Sequence, residues 1–199
     1  MRGGSLLYLE ELNRIPEETL NILITAMAER EVHVPRVGTI HADTSFRLVA
    51  AMNPFDSVGT ARVSGAFADR ANRVAMGYQS AADEARIVAR ALGTDHPSLG
   101  IVSQAVAVTR SSRTDREIRI GASVRGAIDL AHIAADLAVL RSTAVDDRTV
   151  TLDASLAALT GRIRLHDGLS GDPEPVVERL WRQAFVGAAE PAPPAAGKA

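Results

Sequence analysis

Two adjacent carboxylates follow the first apolar segment of the chain. Residues 6–9 (Leu-Leu-Tyr-Leu) run directly into Glu10 and Glu11. An uninterrupted apolar run of this kind predicts a strand buried on both faces. Ligands of α/β sheets bind at the carboxyl ends of strands, and Mg²⁺ is commonly held by one or two carboxylates together with phosphate oxygens. The pair therefore indicates a site for Mg²⁺ and nucleotide phosphates. The alternative is that both acids begin a surface helix, whose N-terminal dipole favours them.

A side-chain amide follows a second apolar segment in the same way. Residues 46–52 are predicted to form another buried strand, and Asn53 comes directly after it. Because Pro54 follows, Asn53 is held out of the helical region and its amide can project from the strand end. An amide in this position could orient a water molecule or contact a phosphate. The alternative is an ordinary Asn-Pro turn.

Two other groups of polar residues are interpreted as structural. His33 and His41 flank the turn of a predicted hairpin and could face each other, but a metal site needs more ligands than these two. They are therefore interpreted as polar residues of an exposed hairpin. A run of arginines further along is predicted to be a solvated face around a turn: Arg110, Arg113, Arg116 and Arg119.

The elements that position these groups fall into two parts. The first part shows the order strand, helix, hairpin, strand, helix, strand, which is typical of an α/β fold with a parallel sheet. Its third strand is predicted at residues 73–78. From residue 81 onward helical periodicity dominates, with helices predicted over 82–92, 99–110, 124–140, 151–165 and 173–185. The predicted domains are residues 1–79 (α/β core), 80–186 (helical domain) and 187–199 (Ala/Pro/Gly-rich disordered tail).

The composition excludes several classes of function. The 199 residues carry a formal net charge of −2, which gives no reason to expect binding to nucleic acid. The absence of cysteine excludes disulfides and thiolate chemistry. No apolar run approaches the length that spans a membrane, and the N-terminus does not resemble a signal peptide. We therefore expect a cytoplasmic protein with neither a nucleic-acid nor a membrane partner.

Several linked motifs resemble those of AAA+ ATPases, and most closely those of the MoxR-like group. Residues 6–11 resemble the Walker B strand, and residues 13–16 and 23–32 resemble the segments that follow it. Residues 51–54 (Ala-Met-Asn-Pro) resemble the sensor-1 strand, and residues 69–70 (Asp-Arg) resemble the arginine-finger pair. Residues 121–125 (Gly-Ala-Ser-Val-Arg) resemble the sensor-2 turn of the lid. The resemblance implies the later part of a P-loop AAA+ core with a parallel sheet, followed by a small all-α lid domain.

The resemblance also implies a role for each candidate residue. Glu10 would hold Mg²⁺ and Glu11 would polarise the attacking water. Asn53 would help to orient that water against the γ-phosphate. Arg125 would reach the phosphates from the lid of the same subunit, whereas Arg70 would project into the site of the next subunit. ATP and Mg²⁺ are the implied cofactors.

The sequence departs from the family pattern at several positions. Glu10 stands where the family usually has Asp, Val124 replaces the usual proline, and Ala71 replaces the phenylalanine that normally follows the finger, so that Arg73 is the alternative finger. No Gly-x-x-x-x-Gly-Lys-Ser/Thr motif, the Walker A loop that cradles phosphates, occurs in the sequence. We therefore expect this chain to be a C-terminal portion of such an ATPase, inactive alone and of poor autonomous stability, because segments 6–9 and 46–51 would lack sheet neighbours.

Two functions follow as hypotheses. In the first, copies of the chain form a ring, expected to be a hexamer, that hydrolyses ATP to remodel or metallate a client protein, with a von Willebrand factor A domain protein as partner. In the second, the chain is a truncated, non-catalytic remnant that acts only as an interaction subunit. A third and weaker hypothesis is kinship to the ATPase subunit of magnesium chelatase.

Overall fold

A computed structural model describes residues 1, 3, 5–53, 64–168 and 171–187 of the chain. The chain divides into two units, Met1–Met76 and Gly77–Ala199. Pro54 and the loop predicted after it, like the tail predicted to be disordered beyond residue 187, lie outside the described residues. The three predicted domains, 1–79, 80–186 and 187–199, stay predictions.

The first unit combines a parallel strand pair, a hairpin and two helices. Its strands are β1 (Leu6–Leu9), β2 (Glu31–Val34), β3 (Gly38–His41) and β4 (Arg47–Ala50), and its helices are α1 (Glu17–Ala28) and α2 (Gly65–Ala68). β1 and β4 pair in parallel, with Leu6 opposite Arg47 and Leu9 opposite Ala50. β2 and β3 pair antiparallel as the predicted hairpin. Pro16 precedes α1, and two acids in its first turn complement the helix dipole.

One face of the β1–β4 pair packs on the helices of this unit. Leu9, Leu48 and Ala50 lie against a cluster that is centred on the buried side chains of Leu12, Leu20 and Phe67. On the other face Leu6 is 65% exposed and Tyr8 is 53% exposed. Side chains alternate between the faces of a strand, and β4 is the only strand paired with β1 among the described residues. The prediction of a strand buried on both faces is therefore wrong for this part of the chain.

Residues 73–78 do not form the predicted third strand. They have no regular secondary structure and form no ladder, and Val74 and Met76 are exposed. A strand exists only through hydrogen bonds to a neighbour, and no described strand of this unit pairs with these residues. The prediction of a third strand at 73–78 is therefore wrong for the described part of the chain.

The second unit is mainly helical. It contains α3 (Ala81–Leu92), α4 (Val102–Ser111), α5 (Val124–Arg141), α6 (Arg148–Leu159) and α7 (Glu174–Trp181), with 3-10 turns at Pro97–Ile101 and Thr160–Arg162 and a π-helical turn at Arg182–Val186. The five predicted helices are thus present, although α6 ends six residues before the predicted Leu165. That residue instead belongs to a short antiparallel pair, β5 (Ile118–Ile120) with β6 (Arg164–Leu165). The predicted α/β class, with a parallel strand pair and several helices, is confirmed.

Small residues allow the helices of the second unit to pack closely. α5 buries Ala127, Ala131 and Ala134, and α6 buries Ala154 and Ala158. These alanines share one core cluster with larger side chains that are completely buried, among them Leu130 and Leu159. In the part of the chain that the structure describes, no helix is both long and apolar enough to cross a membrane.

Candidate functional site

The carboxyl edge of the parallel strand pair gathers the first candidate residues. Because β1 and β4 run in the same direction and Leu9 lies opposite Ala50, both strands end at the same edge. Glu10 and Glu11 leave this edge from β1, and Asn53 follows β4. The structure therefore brings together the three residues that the sequence places at strand ends, all within the first unit.

Backbone and side-chain hydrogen bonds hold this edge together. The amide of Ala51 donates to the carbonyl oxygen of Leu9 over 2.8 Å, and the amide of Leu12 donates to the carbonyl oxygen of Ala51 over 3.0 Å. The side-chain amide of Asn13, which is buried, donates to the carbonyl oxygen of Asn53 over 3.3 Å. Asn13 thus ties the segment after β1 to the segment after β4. Sequence reasoning did not assign it this function, since only its position three residues after Glu10 pointed to the site.

Glu11 adopts a backbone conformation that is rare for its residue type. Its φ of 50° and ψ of 48° lie in the left-handed region, which costs free energy in any residue with a Cβ. The conformation turns the chain from β1 into a one-turn 3-10 helix at Leu12–Arg14. Strained residues of this kind are enriched at functional sites. Since α1 begins only at Glu17, the two acids precede a 3-10 turn and not an α-helix.

The two carboxylates face solvent with weak local partners. Glu11 Oε2 lies 3.2 Å from Nε of Arg14 in an exposed ion pair. Glu10 Oε1 accepts a hydrogen bond of 3.4 Å from the hydroxyl of Tyr8. Exposed pairs of this type contribute little to stability, so both acids can exchange these partners for a ligand at small cost.

The chemistry of these donors suits Mg²⁺ bound to phosphates. No group of three or more His, Cys, Asp or Glu side chains converges among the described residues, so a metal held by protein ligands alone has no candidate there. Mg²⁺ on a nucleotide needs fewer ligands, because one or two carboxylates suffice when phosphate oxygens and water complete the octahedron. Glu10 and Glu11 meet that requirement.

The two hairpin histidines do not face each other. The register places His33 opposite Thr39 and His41 opposite Glu31. His33 Nδ1 lies 3.4 Å from Oγ1 of Thr39, and His41 Nδ1 lies 3.0 Å from Oε2 of Glu31. Each histidine therefore has its own cross-strand partner, in agreement with their interpretation as polar residues of an exposed hairpin.

The candidate arginine fingers lie at and after the short helix α2. Ser64 caps this helix by accepting a hydrogen bond from the amide of Phe67, whose buried ring anchors α2 in the core of the first unit. Arg70 follows, exposed, with Nη1 donating to the carbonyl oxygen of Ala66 over 2.9 Å. Arg73 is exposed on the irregular segment after α2 and has no partner among the described residues. Both cations are thus presented at the surface of the unit.

Arg125 lies in the first turn of α5, in the second unit. The side chain is exposed and has no hydrogen-bonding or ionic partner among the residues that the structure describes. The first turn also contains no acid. A cation at a helix N-terminus opposes the helix dipole, so this arrangement is locally unfavourable and would be relieved by an anion.

One buried ionic cluster was missed by sequence reasoning. Glu84 of α3 is 1% exposed and is paired with Arg113 and Arg110 at the end of α4. The side chain of Arg113 is only 9% exposed, so the prediction that this arginine belongs to a solvated face is wrong. Glu84 lies one helical turn before the buried Val88, and an acid in the apolar stripe of α3 was the signal that could have revealed the cluster.

Known proteins resemble the first unit more clearly than the rest of the chain. The family model of the AAA domain (dynein-related subfamily) matches residues 1–71. The matched range contains Glu10, Glu11, Asn53 and Arg70 and ends before Arg125. No curated protein matches the chain.

A solved structure also resembles the chain. It is the crystal structure of a "putative ATPase" from Cytophaga hutchinsonii, with 19% identity and a TM-score of 0.39. The similarity covers 89% of this chain and 64% of that chain, so this chain spans less than two thirds of the length of that protein.

Proposed function

We propose that this chain supplies part of the ATP-hydrolysing site of an AAA+ ATPase of the MoxR type. The observation that carries the proposal is the convergence of Glu10, Glu11 and Asn53 at the carboxyl edge of the parallel pair β1–β4. The match of residues 1–71 to the AAA domain supports it, because the matched range includes all three residues. The left-handed conformation of Glu11 at this edge is a second support.

In this proposal each residue of the edge has one task. Glu10 would hold Mg²⁺, which supplies charge neutralisation on the phosphate oxygens when it is bound. Glu11 would accept a hydrogen bond from the attacking water and so orient and polarise it. The amide of Asn53 would hold the same water from the other strand. Phosphoryl transfer depends mainly on such positioning and on charge stabilisation, so small displacements are costly.

The exposed arginines would complete the site electrostatically. Arg125 carries a positive charge with no local partner among the described residues. This suits a group that binds the phosphates of a nucleotide. Arg70, or Arg73 in its place, would act on the nucleotide of a neighbouring copy. A site completed in this way requires copies of the chain in a ring, for which we propose a hexamer.

The 199 residues contain no Walker A motif, and we expect them alone not to turn over ATP. A Walker A loop supplied from outside these 199 residues would provide the amides and the lysine that cradle the phosphates. By its resemblance to the MoxR group, the assembled ring would remodel or metallate a client protein together with a partner that carries a von Willebrand factor A domain.

The decisive experiment compares ATP binding and turnover by this chain and by a version extended with the codons that precede it in frame. The extended form should bind and hydrolyse ATP. Glu11→Gln should reduce turnover by at least about a hundredfold with little change in ATP affinity, because a group that acts on the attacking water contributes mainly in the transition state. Glu18→Gln, an exposed acid of α1, is the matched control and should leave both quantities unchanged.

Three outcomes would contradict the proposal in distinguishable ways. Hydrolysis by the unextended chain would overturn the requirement for a Walker A segment. Equal turnover by Glu11→Gln and the unaltered extended form would remove Glu11 from the site. Failure of the extended form to bind ATP would favour the alternative function, an interaction subunit without catalysis.

A further inference from the structure

The helical unit contains a buried carboxylate with an unusual set of partners. Glu84 Oε1 accepts a hydrogen bond of 2.7 Å from Nη1 of Arg113, and Glu84 Oε2 accepts one of 3.1 Å from Nη1 of Arg110. A carboxylate this deeply buried is tolerated only when it is paired and hydrogen-bonded. Replacing such a pair with apolar residues is often neutral for stability. A contribution to stability alone therefore does not explain why this pair is present.

The two arginines connect this carboxylate to separate segments of the backbone. Arg110 Nη1 also donates to the carbonyl oxygen of Gln79 over 2.9 Å, and the guanidinium of Arg113 lies 3.8 Å above the ring of Tyr78. Arg113 Nε donates to the carbonyl oxygen of Ala122 over 2.7 Å. The cluster therefore ties α3 and α4 both to the first residues of the helical unit and to the turn before α5.

The turn before α5 is held through both backbone polar groups of Ala122. Besides the contact from Arg113, the amide of Ala122 donates to Oγ of Ser112 over 3.0 Å. Gly121 approaches α4 so closely that a Cβ there would lie 2.7 Å from the Cα of Arg113 and from the carbonyl oxygen of Ser112. The backbone of this turn is thus seated against the end of α4.

Arg125 follows this turn in the first helical turn of α5. Its backbone follows directly from the turn that packs against the end of α4. Its side chain is exposed without a partner among the described residues. On the next residue, Gly126, a Cβ would lie 2.7 Å from Cδ2 of Leu159, so this end of α5 also packs closely on α6. The side chain of Arg125 therefore projects from an ordered backbone, and precise contact with a phosphate requires such an arrangement.

We propose that Glu84 and Arg113 are positioning residues for Arg125. They contact no phosphate themselves, and they act by holding the backbone of residues 121–125. The proposal that Arg125 acts on ATP rests on the proposed function above, whereas the claim that Glu84 and Arg113 order this turn does not. The two claims are tested separately.

The first test measures the order of the turn without any nucleotide. The chain has no cysteine, so Arg125→Cys provides one site for a nitroxide spin label, and Ser103→Cys on the exposed side of α4 provides a reference site. Arg113→Lys keeps the charge beside Glu84, but a lysine cannot contact both Glu84 and Ala122 with a rigid fork. We expect this substitution to increase the mobility of the label at 125 and to leave the label at 103 unchanged.

Arg179→Lys is the matched control for this test. Arg179 bridges Asp115 and Glu117, at 2.8 Å and 2.5 Å, and has no described contact with the turn at 121–125. This substitution should leave the mobility at 125 unchanged. If Arg113→Lys leaves the label at 125 unaltered, or mobilises both labels equally, the positioning role is overturned.

The second test is a double-mutant cycle in the extended, ATP-hydrolysing form. Arg113→Lys should lower kcat/KM for ATP about tenfold or more, because a displacement of about 1 Å can cost about a hundredfold in rate. In the background of Arg125→Ala it should lower kcat/KM no further. Independent, additive losses would overturn the action of Arg113 through Arg125. An unaltered rate in Arg125→Ala alone would instead contradict the proposed function, and the spin-label result would stand.

Discussion

At the scale of single residues, the acids of this protein divide by their surroundings. Glu84 is buried and forms ion pairs with two arginines, so its role is structural. Glu10 and Glu11 leave a sheet edge with exposed side chains and only weak partners. The same residue type is thus a structural ion in one unit and a candidate ligand in the other, and the difference comes from burial and not from sequence neighbours.

Truncation of the buried acid should be strongly destabilising. Glu84→Ala would leave the guanidinium of Arg113 buried without its counter-charge, and breaking a buried pair in this way costs about 3–5 kcal/mol. Urea unfolding at neutral pH, followed by circular dichroism, measures the change in the free energy of unfolding.

The matched control is Glu178→Ala on α7. Glu178 is also a helical acid paired with an arginine, with Oε1 2.5 Å from Nη2 of Arg182, but both side chains are partly exposed. Its loss should cost less than about 1 kcal/mol. Equal destabilisation by the two substitutions would contradict the structural role given to Glu84.

At the scale of elements, close backbone approach determines where glycine is needed. A Cβ on Gly121, before α5, would meet backbone atoms of Ser112 and Arg113 just after α4, whereas a Cβ on Gly126, within α5, would meet a side-chain methyl group of Leu159. A backbone cannot move aside without dragging its helix, but a leucine side chain can rotate. The two glycines of one short segment therefore differ in what they would tolerate.

Substitution of these glycines should separate the two cases. Gly121→Ala forces the turn away from α4 and should cost about 1–3 kcal/mol of stability, as overpacking does. Gly126→Ala gains helix propensity of up to about 1 kcal/mol, which offsets the displacement of the Leu159 side chain. Thermal and urea unfolding of both variants provide the comparison, and a larger loss for Gly126→Ala would contradict the described packing.

The cap of α6 should give the protein a defined response to acid. Hydrogen bonds from the hydroxyl of Thr149, and then from the amides of Thr149 and Val150, hold the pKa of the Asp147 carboxyl below its ordinary value of 3.8. Because the pKa is lower in the folded state, the stabilising contribution is present above pH 3.8 and is lost as the pH falls through the folded pKa.

Asp147→Asn tests this response. The unaltered chain should be more stable than the variant at neutral pH, and the difference should shrink below pH 3.8 and disappear in stronger acid. Thr149→Val, which removes the main hydrogen bond, should reduce the same difference. The free energy of unfolding of the unaltered chain and of Asp147→Asn is measured by urea unfolding from pH 2 to 7. If the two free energies differed by the same amount at every pH, the proposed effect of the Asp147 cap would be contradicted.

At the scale of the whole molecule, the two units have unequal cores. The first unit encloses a small cluster around Leu12, Leu20 and Phe67, and its strand pair leaves Leu6 and Tyr8 exposed. The second unit encloses a far larger cluster contributed by α3 to α7. A two-stranded sheet is marginal by itself, so most of the stability must come from the helical unit.

Separated units should therefore behave differently. A fragment of residues 77–187 should unfold cooperatively in urea with nearly the midpoint of the main transition of the whole chain, whereas residues 1–76 should show little cooperative unfolding. Hydrogen exchange of the whole chain should show lower protection in β1 and β4 than in α5 and α6. A cooperative transition for the 1–76 fragment would contradict this division.

The sequence by itself determined the features that depend on near neighbours. The spacing of apolar residues and the stop at Gly93 predicted α3 to within one residue, and the short segment 36–38 between two apolar runs predicted the β2–β3 hairpin. The end of β1 at Leu9 was predicted as well, because the apolar run that stops at Glu10 is visible without any partner, whereas β4 ends at Ala50, two residues before the predicted end. These signals act within a few residues, where helix geometry, caps and turns operate.

Only the tertiary structure decided what depends on distant partners. It paired Glu84 with Arg113, 29 positions away, and so removed that arginine from the predicted solvated face. It left residues 73–78 without a ladder, and it exposed one face of β1, because strands require neighbours that periodicity cannot supply. Burial, pairing and register are properties of contacts between segments, and a local pattern specifies which side chains can make such contacts but not which partners they meet.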